Sequence, residues 1–230
     1  MDTNIIGRAN EIVNSTAEAC IGVIDEGGFP SVSTVSSVKT DGIYKVFFAT
    51  GIEANKTKRI LNNGKTSVCF QTGGDNVTLV GEARIVTDRA VKHELWQDWF
   101  IAHFPEGADD PTYCVIEFTA QRASLWVEGK SAEFLISDLL TVQSRCGLLC
   151  RTCSFREPCN CGGCIETMGN PFHGKCPVAT CCQNKGFQHC GECPDIPCEQ
   201  LKEYSCSDSE HADKPKGARI ALCRKWAGKA

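Results

Sequence analysis

Fourteen of the seventeen cysteines in this 230-residue chain crowd into residues 144–230, at spacings that suit metal chemistry. They read Cys146-x3-Cys150-x2-Cys153, Cys159-x-Cys161-x2-Cys164, Cys176-x4-Cys181-Cys182 and Cys190-x2-Cys193-x4-Cys198, with Cys206 and Cys223 standing apart. Two residues between cysteines let both sulfurs reach one tetrahedral centre across a tight turn, and Gly162-Gly163 permits such a turn. The twelve short-spaced cysteines are therefore the candidate metal ligands, enough for three full sites, or for two with four thiols spare. A disulfide framework is the competing reading. The first twenty residues lack an export-signal core, and thiols that stay in the cytoplasm are kept reduced, which disfavours it. His173, His189 and His211 are left out of the ligand set, because a lone histidine is more often a surface or capping residue.

Zn2+ leads as the metal, since thiolate ligation supplies about 10 kcal/mol or more of folding free energy per site. A [4Fe-4S] cluster is the alternative: it uses cysteines at short spacing, and Cys176-Pro177 and Cys193-Pro194 have the Cys-Pro form of ferredoxin motifs. The spacing of Cys146, Cys150 and Cys153 also matches the cluster motif of radical S-adenosylmethionine enzymes, whose barrel needs far more chain than residues 144–230 provide.

A second set of chemistry-bearing residues lies in Thr50-Gly51-Ile52-Glu53-Ala54-Asn55-Lys56-Thr57-Lys58-Arg59. It places three cations near the start of a short helix that follows a strand. Cations there oppose the helix dipole, and an anion bound at the helix N-terminus would offset that cost. On composition alone the three cations read as a solvated basic face.

The elements that must position these residues divide at the same point as the cysteines. Residues 144–230 hold 12 basic and 9 acidic side chains, whereas residues 1–143 hold 12 and 19. The overall charge of -4 argues against a nucleic-acid binder, and thiolate-bound zinc would erase the basicity of the second half. No apolar run reaches the ~18 residues a membrane helix needs, so a soluble cytoplasmic protein is expected. The division expected is 1–130 as a first domain, 131–144 as a linker and 145–230 as a cysteine-rich domain. The last has few aliphatic side chains, so metals or crosslinks must hold it.

In the first domain Ile5, Ala9, Ile12, Val13 and Ala17 predict an amphipathic N-terminal helix. Strands are expected over residues 44–50, 66–71, 77–86, 112–119 and 123–127, and a short helix over 55–63. Asp88 is expected to cap a helix whose Val91, Leu95, Trp99 and Ala102 share one face and which ends before Pro105. Many strands without βαβ alternation indicate an α+β or mostly β fold, a barrel or an antiparallel sheet.

The order strand, Thr50, Lys56, short helix, strand resembles the phosphate-binding part of pyridoxamine 5'-phosphate oxidase-like split barrels. Trp96-x2-Trp99-x4-Phe104-Pro105-x-Gly107-x2-Asp110-Pro111, then Tyr113–Thr119 and Trp126, resembles the general-stress-protein branch of these flavoproteins. The resemblance covers about residues 5–130. It implies a six-stranded split β-barrel with flanking helices, a homodimer binding FMN at the subunit interface. Carried over by position, Lys56 matches the lysine on the flavin phosphate and Thr50 the end of the strand beneath it. Ser33, Thr34 and Val35 match the strand whose backbone faces the isoalloxazine, and Trp126 falls near the interface tryptophan, with a core aromatic as its other reading. Asn55 replaces the Ser or Arg common beside the lysine, which weakens phosphate affinity unless Lys58 compensates. The substrate-binding arginine and histidine of the true oxidases have no counterpart, so oxidation of pyridoxamine phosphate is not expected. Residues 145–205 resemble a family of small cysteine-rich domains without established activity, for which metal binding is implied.

Two functions follow from these readings. The first is an FMN-dependent oxidoreductase, a reductase of unassigned substrate, exchanging electrons with a small-molecule or protein partner. No side chain is nominated as its acid or base. A metal-bearing second domain would relay electrons if it holds iron and sulfide, or serve structure and docking if it holds zinc. The alternative is a non-enzymatic flavin- or metal-binding redox sensor or interaction protein, with an exposed thiol such as Cys206 reacting with oxidants.

Overall fold

The computed structural model describes residues 3–228, with side chains from residue 5 onward except at position 152. Two compact units emerge, residues 9–136 and residues 137–230 with the opening turns of the first helix.

The first unit follows helix α1 (Thr3–Ser15) with strands β1 (Glu18–Ile24), β2 (Pro30–Asp41) and β3 (Lys45–Gly51). Helix α2 (Asn55–Asn62) leads to β4 (Lys65–Thr72), β5 (Asp75–Val86) and helix α3 (Arg89–Glu94). The long β6 (Tyr113–Val127) and short β7 (Lys130–Leu135) complete it. The strands pair in the order β3-β2-β1-β4-β5-β6, and β3 also pairs with β6, so six antiparallel strands close into a barrel. β7 adds to the far half of β6, from Arg122↔Leu135 to Val127↔Lys130. Residues 131–144, read above as a linker, thus hold most of β7 and the short helix α4 (Ile136–Leu140).

Alternation builds the barrel interior as expected for half-buried strands. Val46, Phe48 and Thr50 of β3, Val68 and Phe70 of β4, Val77 and Leu79 of β5, and Cys114, Ile116 and Phe118 of β6 are buried. Each buried phenylalanine contributes about 2–3 kcal/mol. The two strands expected over 112–119 and 123–127 are one strand, β6. Opposite β5 its register jumps from Gly81↔Ala120 to Val80↔Arg122, so Gln121 is an extra residue that a bulge absorbs. Gly81 is required at this point, since a Cβ there would stand 2.1 Å from the Thr119 carbonyl oxygen.

The helix expected from Asp88 to Pro105 is corrected. Asp88 does cap it, accepting from Val91 N–H at 3.1 Å, but α3 ends at Glu94 and a 3-10 turn covers Asp98–Ala102. The break changes which side chains face the barrel. Leu95 and Phe100 are buried, whereas Trp99 is 52% exposed and Ala102 is exposed. Leu95 and Phe100 pack with Val86, Tyr113 and Val115, and Trp96 stands edge-on to both Phe100 and Tyr113 with centroids 5.5 Å apart.

The second unit is short helices and turns. After α4 come a 3-10 turn (Cys150–Thr152), α5 (Gly163–Glu166), α6 (Pro177–Asn184), a second 3-10 turn (Cys190–Glu192), α7 (Glu199–Cys206) and α8 (Ala218–Trp226). Its aliphatic core is small: Val178, Leu201 and Ile220, walled by Cys146, Cys176, Cys190, Cys198 and Cys206. Cys206, expected to be exposed, is instead half-buried against this core, because it closes the inner face of α7.

No helix among the described residues is long and apolar enough to cross a membrane.

Candidate functional site

The end of β3 and the start of α2 form a corner. Thr50 is buried and pairs in register with Cys114 of β6. After it, the Thr57 hydroxyl donates to the Gly51 carbonyl at 2.7 Å, tying the first helical turn back to the strand end. Ala54 occupies the N-cap position and provides no side-chain cap, and the first turn holds no acidic residue. The leading N–H groups of α2 therefore remain donors without an intrahelical partner, at the positive end of its dipole.

Two of the cations singled out in the sequence part company here. Lys58 is exposed and pairs with Glu53 at 2.7 Å. Lys56 is half-buried and has no ion pair among the described residues. Asn55 is exposed. Arg59, the third of the cations singled out in the sequence but given no place on the flavin phosphate there, shares the Lys56 face of the helix by its i,i+3 spacing. Its Nη1 donates to Ser31 Oγ at 2.6 Å. Its Nε is buried without a hydrogen-bond partner and stands 3.6 Å from Glu26.

Through Ser31 the corner is joined to β2. That strand pairs with β1 from Pro30 to Ser36, including Ser33↔Ile21, Thr34↔Cys20 and Val35↔Ala19. Its pairing with β3 begins only at Ser37. Residues 30–36 are thus paired along one side only, and on the other side their backbone groups have no strand partner. Ser33 is half-buried, Thr34 exposed and Val35 buried. Helix N–H donors, Lys56, Arg59 and a strand edge are together the donor set for an anion attached to a flat, hydrogen-bonding ring system. FMN is such a ligand, and the unpaired strand edge and the Arg59 guanidinium, held by Ser31 and Glu26, fit it.

Trp126 lies on β6 opposite Asn76 and Ser131. It is 47% exposed, so it is not a core aromatic, and Leu135 on the same face of β7 is 52% exposed. Nearby buried acids are held neutral. Burial pushes the Cys114 thiol up to about 11, against the Thr57 hydrogen bond. Tyr113 rises to about 12 through burial first and the Cys114 charge second. Lys92 is buried, donating to the Asp110 carbonyl at 2.8 Å beneath the Tyr113 ring.

In the second unit all cysteines are free thiols. Cys150 and Cys153 bracket one 3-10 turn and Cys190 and Cys193 the other. Cys153 N–H reaches the Cys150 carbonyl at 3.4 Å, and Cys193 N–H reaches that of Cys190 at 3.1 Å. Cys159 and Cys161 bond back to the Phe155 and Arg156 carbonyls. Cys164 lies in α5 and accepts from Arg145 N–H at 3.2 Å. Cys176 and Cys198 precede the first residues of α6 and α7, and Cys181 and Cys182 lie within α6.

The thiols influence one another in two groups. Burial pushes Cys150 up to about 12, and Cys146, Cys164, Cys153 and Cys161 add to the rise. The other group joins Cys182, Cys190 and Cys223. A hydrogen bond between Cys182 and Cys190 lowers the first thiol and raises the second, and Cys223 raises Cys190 further. Cys223 was set apart by its spacing, and only the docking of α8 brings it here. Among the described residues no three His, Cys, Asp or Glu side chains are gathered on one point as a bound metal ion requires.

Residues 7–143 match the family model described as pyridoxamine 5'-phosphate oxidase like. Residues 155–203 match a family described as a protein of unknown function, DUF3795. No curated protein is significantly similar to the chain. Among solved structures, a protein related to general stress protein 26, of the pyridoxinephosphate oxidase family, from Clostridium acetobutylicum is 29% identical; the match covers 60% of this chain and 99% of that one, with a TM-score of 0.56. General stress protein 26 from Bacillus anthracis is 16% identical, over 57% of this chain and 98% of that one, with a TM-score of 0.47. With the first model matching 7–143 of 230 residues on a closed six-stranded barrel, the chain belongs to the pyridoxamine 5'-phosphate oxidase-like family.

Proposed function

We propose that the protein is an FMN-binding oxidoreductase, acting as a reductase in the cytoplasm, with a C-terminal unit that binds metal through its cysteines. The observation that carries the flavin reading is the one-sided pairing of β2 over residues 30–36 beside the uncapped start of α2. An open strand edge in a closed barrel needs a partner for its N–H and C=O groups. Bound FMN would supply hydride or single-electron transfer. Lys56, Arg59 and the first N–H groups of α2 hold its phosphate. The backbone of Ser33, Thr34 and Val35 orients the ring edge, and Thr50 closes the floor between strand and helix. Lys58, paired to Glu53, contributes less to this than Lys56.

The barrel acts as a homodimer, with Trp126 at the subunit interface beside the flavin. What supports this is the exposure of Trp126 together with Leu135 on one face of β6 and β7. The electron donor and acceptor are small molecules or proteins, and neither nucleic acid nor membrane is involved. Reconstituting the protein with FMN and, separately, riboflavin tests the reading. One FMN per chain, with riboflavin bound at least tenfold more weakly, is the expected result. Equal binding of the two, or no stoichiometric flavin, refutes the phosphate site. Zinc and iron quantified on protein purified without oxygen test the metal reading; a preparation with neither metal removes it.

A further inference from the structure

We infer that Cys20 of β1 and Cys69 of β4 form a redox-modifiable pair on the outer face of the barrel, which a low-molecular-weight disulfide oxidises to an intramolecular cross-strand disulfide. The pair depends on neither the flavin nor the metal reading above.

The sheet register brings the two residues together. β1 and β4 are antiparallel neighbours, and Cys20 stands directly opposite Cys69. One step along, Ile21 lies opposite Val68, and both are buried. Side chains alternate along a strand, so Cys20 and Cys69 both point outward, on one face. Both are free thiols, Cys20 exposed and Cys69 half-buried. Residues directly opposite on antiparallel strands have Cα atoms about 4.5 or 5.5 Å apart, and a disulfide takes Cα separations of about 4.4–6.8 Å. Either kind of pairing therefore admits the bond. Opposed Cβ atoms stand about 4.5–5.5 Å apart against about 3.5–4.5 Å in a disulfide, so an approach of at most about 1 Å reaches the disulfide range.

The surroundings suit the reaction. In the row across the strands Cys20 is flanked by Thr34 of β2 and Cys69 by Thr78 of β5. The next outward positions along the two strands are Gly22 and Ser67, again opposite each other. These side chains are small and uncharged, so a small oxidant can approach. Cys69 Sγ donates to the Phe70 carbonyl at 3.9 Å, a weak sulfur hydrogen bond that a turn about χ1 readily gives up. The remaining cysteine of the barrel is the contrast. Cys114 pairs in register with Thr50 and is fully buried, so it has neither a thiol partner in that pairing nor access to an oxidant.

The step is a thiol–disulfide exchange. The Cys20 thiolate attacks one sulfur of the small disulfide RS–SR; a Cys20–SR bond forms, the S–S bond breaks, and RS− leaves and takes up a proton. The Cys69 thiolate then attacks Cys20 Sγ, the Cys20–Cys69 bond forms, and the second RS− leaves and is protonated. The pair loses two electrons and two protons, which end on two molecules of RSH. Cys20 is the point of entry because it is the exposed thiol of the two. The new bond closes residues 20–69, which hold β2, β3 and α2, into a covalent loop, and excess small thiol reverses it.

The test treats the full-length reduced protein with glutathione disulfide, quenches it by alkylation and maps its tryptic peptides by mass without reduction. Residues 9–39 and 66–84 are each one tryptic peptide with a single cysteine, so a link between them reports Cys20–Cys69 and nothing else. The linked species, lighter than the two peptides by two hydrogens, is expected from the folded protein and should disappear with dithiothreitol. The fraction of Cys20 joined to Cys69 should be at least about tenfold higher in the folded protein than in urea, because only the fold holds the two thiols in register. Cys69→Ser is expected to stop with one glutathione on peptide 9–39. Cys20→Ser should take glutathione on peptide 66–84 at least about tenfold more slowly, Cys69 being the less accessible thiol. A folded protein without the linked species, or with no more of it than in urea, overturns the pair. A linked species found only in covalent dimers places the bond between two chains and overturns it too.

Discussion

Arg59 of α2 donates from Nη1 to Ser31 Oγ at 2.6 Å, linking the helix that carries Lys56 to the first residues of β2. Ser31 lies in the stretch of β2 that has no partner on its β3 side. The link makes the helix and the strand edge one preorganised corner rather than two independent surfaces.

Lys56→Ala is expected to weaken FMN binding by about 10- to 100-fold, the value of a charge-assisted hydrogen bond of about 1.5–3 kcal/mol. Riboflavin binding should be unchanged, because the lost partner is the phosphate. Arg59→Ala should weaken both flavins, since it also frees Ser31 and the strand edge. Lys58→Ala should cost less than about twofold, its ammonium being held by exposed Glu53. Fluorescence titration of the four proteins checks the order.

At Trp126, replacement by Arg places a charge on the exposed face that Leu135 shares. Dimer and flavin content are expected to fall together, as read by sedimentation velocity with absorbance at the flavin band. A monomer that keeps its flavin would separate the interface from the site.

The barrel should lose stability in alkaline solution. Cys114 has an ordinary value of 9.0 and is pushed up to about 11 in the fold, chiefly by burial. Tyr113 rises from 10.0 to about 12 for the same first cause. Above pH 9 the unfolded chain releases protons that the folded barrel retains, so the stabilisation is complete below about 9 and is lost as pH rises through about 11. Urea midpoints measured from pH 7 to 11 should fall across that window, and Cys114→Ala should flatten the lower part of the decline.

Gly81→Ala is expected to destabilise the barrel by about 1–3 kcal/mol. The added Cβ would meet the Thr119 carbonyl oxygen at 2.1 Å, and backbone cannot move aside as a flexible side chain can. Thermal melts with the second unit's helices unaffected would place the damage at the bulge.

Much of this architecture was legible in the chain. Alternation along Val46, Phe48 and Thr50, and along Val77 and Leu79, marks barrel strands because a pleated strand exposes one face to the core and one outward. Asp88 announced its helix because a carboxylate accepting from Val91 N–H is a local interaction. The cysteine spacings likewise marked the two turns at Cys150 and Cys190, each closed within three residues.

What only the tertiary structure decided depends on residues far apart in the chain. Trp99 lost its place in the core to Phe100 because α3 stops at Glu94 and a tighter turn rotates the following side chains, a choice made by packing on Tyr113 and Val115. Arg59 became part of the corner only when β2 placed Ser31 against it. Cys223 joined Cys182 and Cys190 only through the docking of α8, and Lys185 found Cys193 across a loop. Short-range hydrogen bonding and side-chain period are written in neighbouring residues; which distant atoms share a corner is settled by how the strands close and the helices dock.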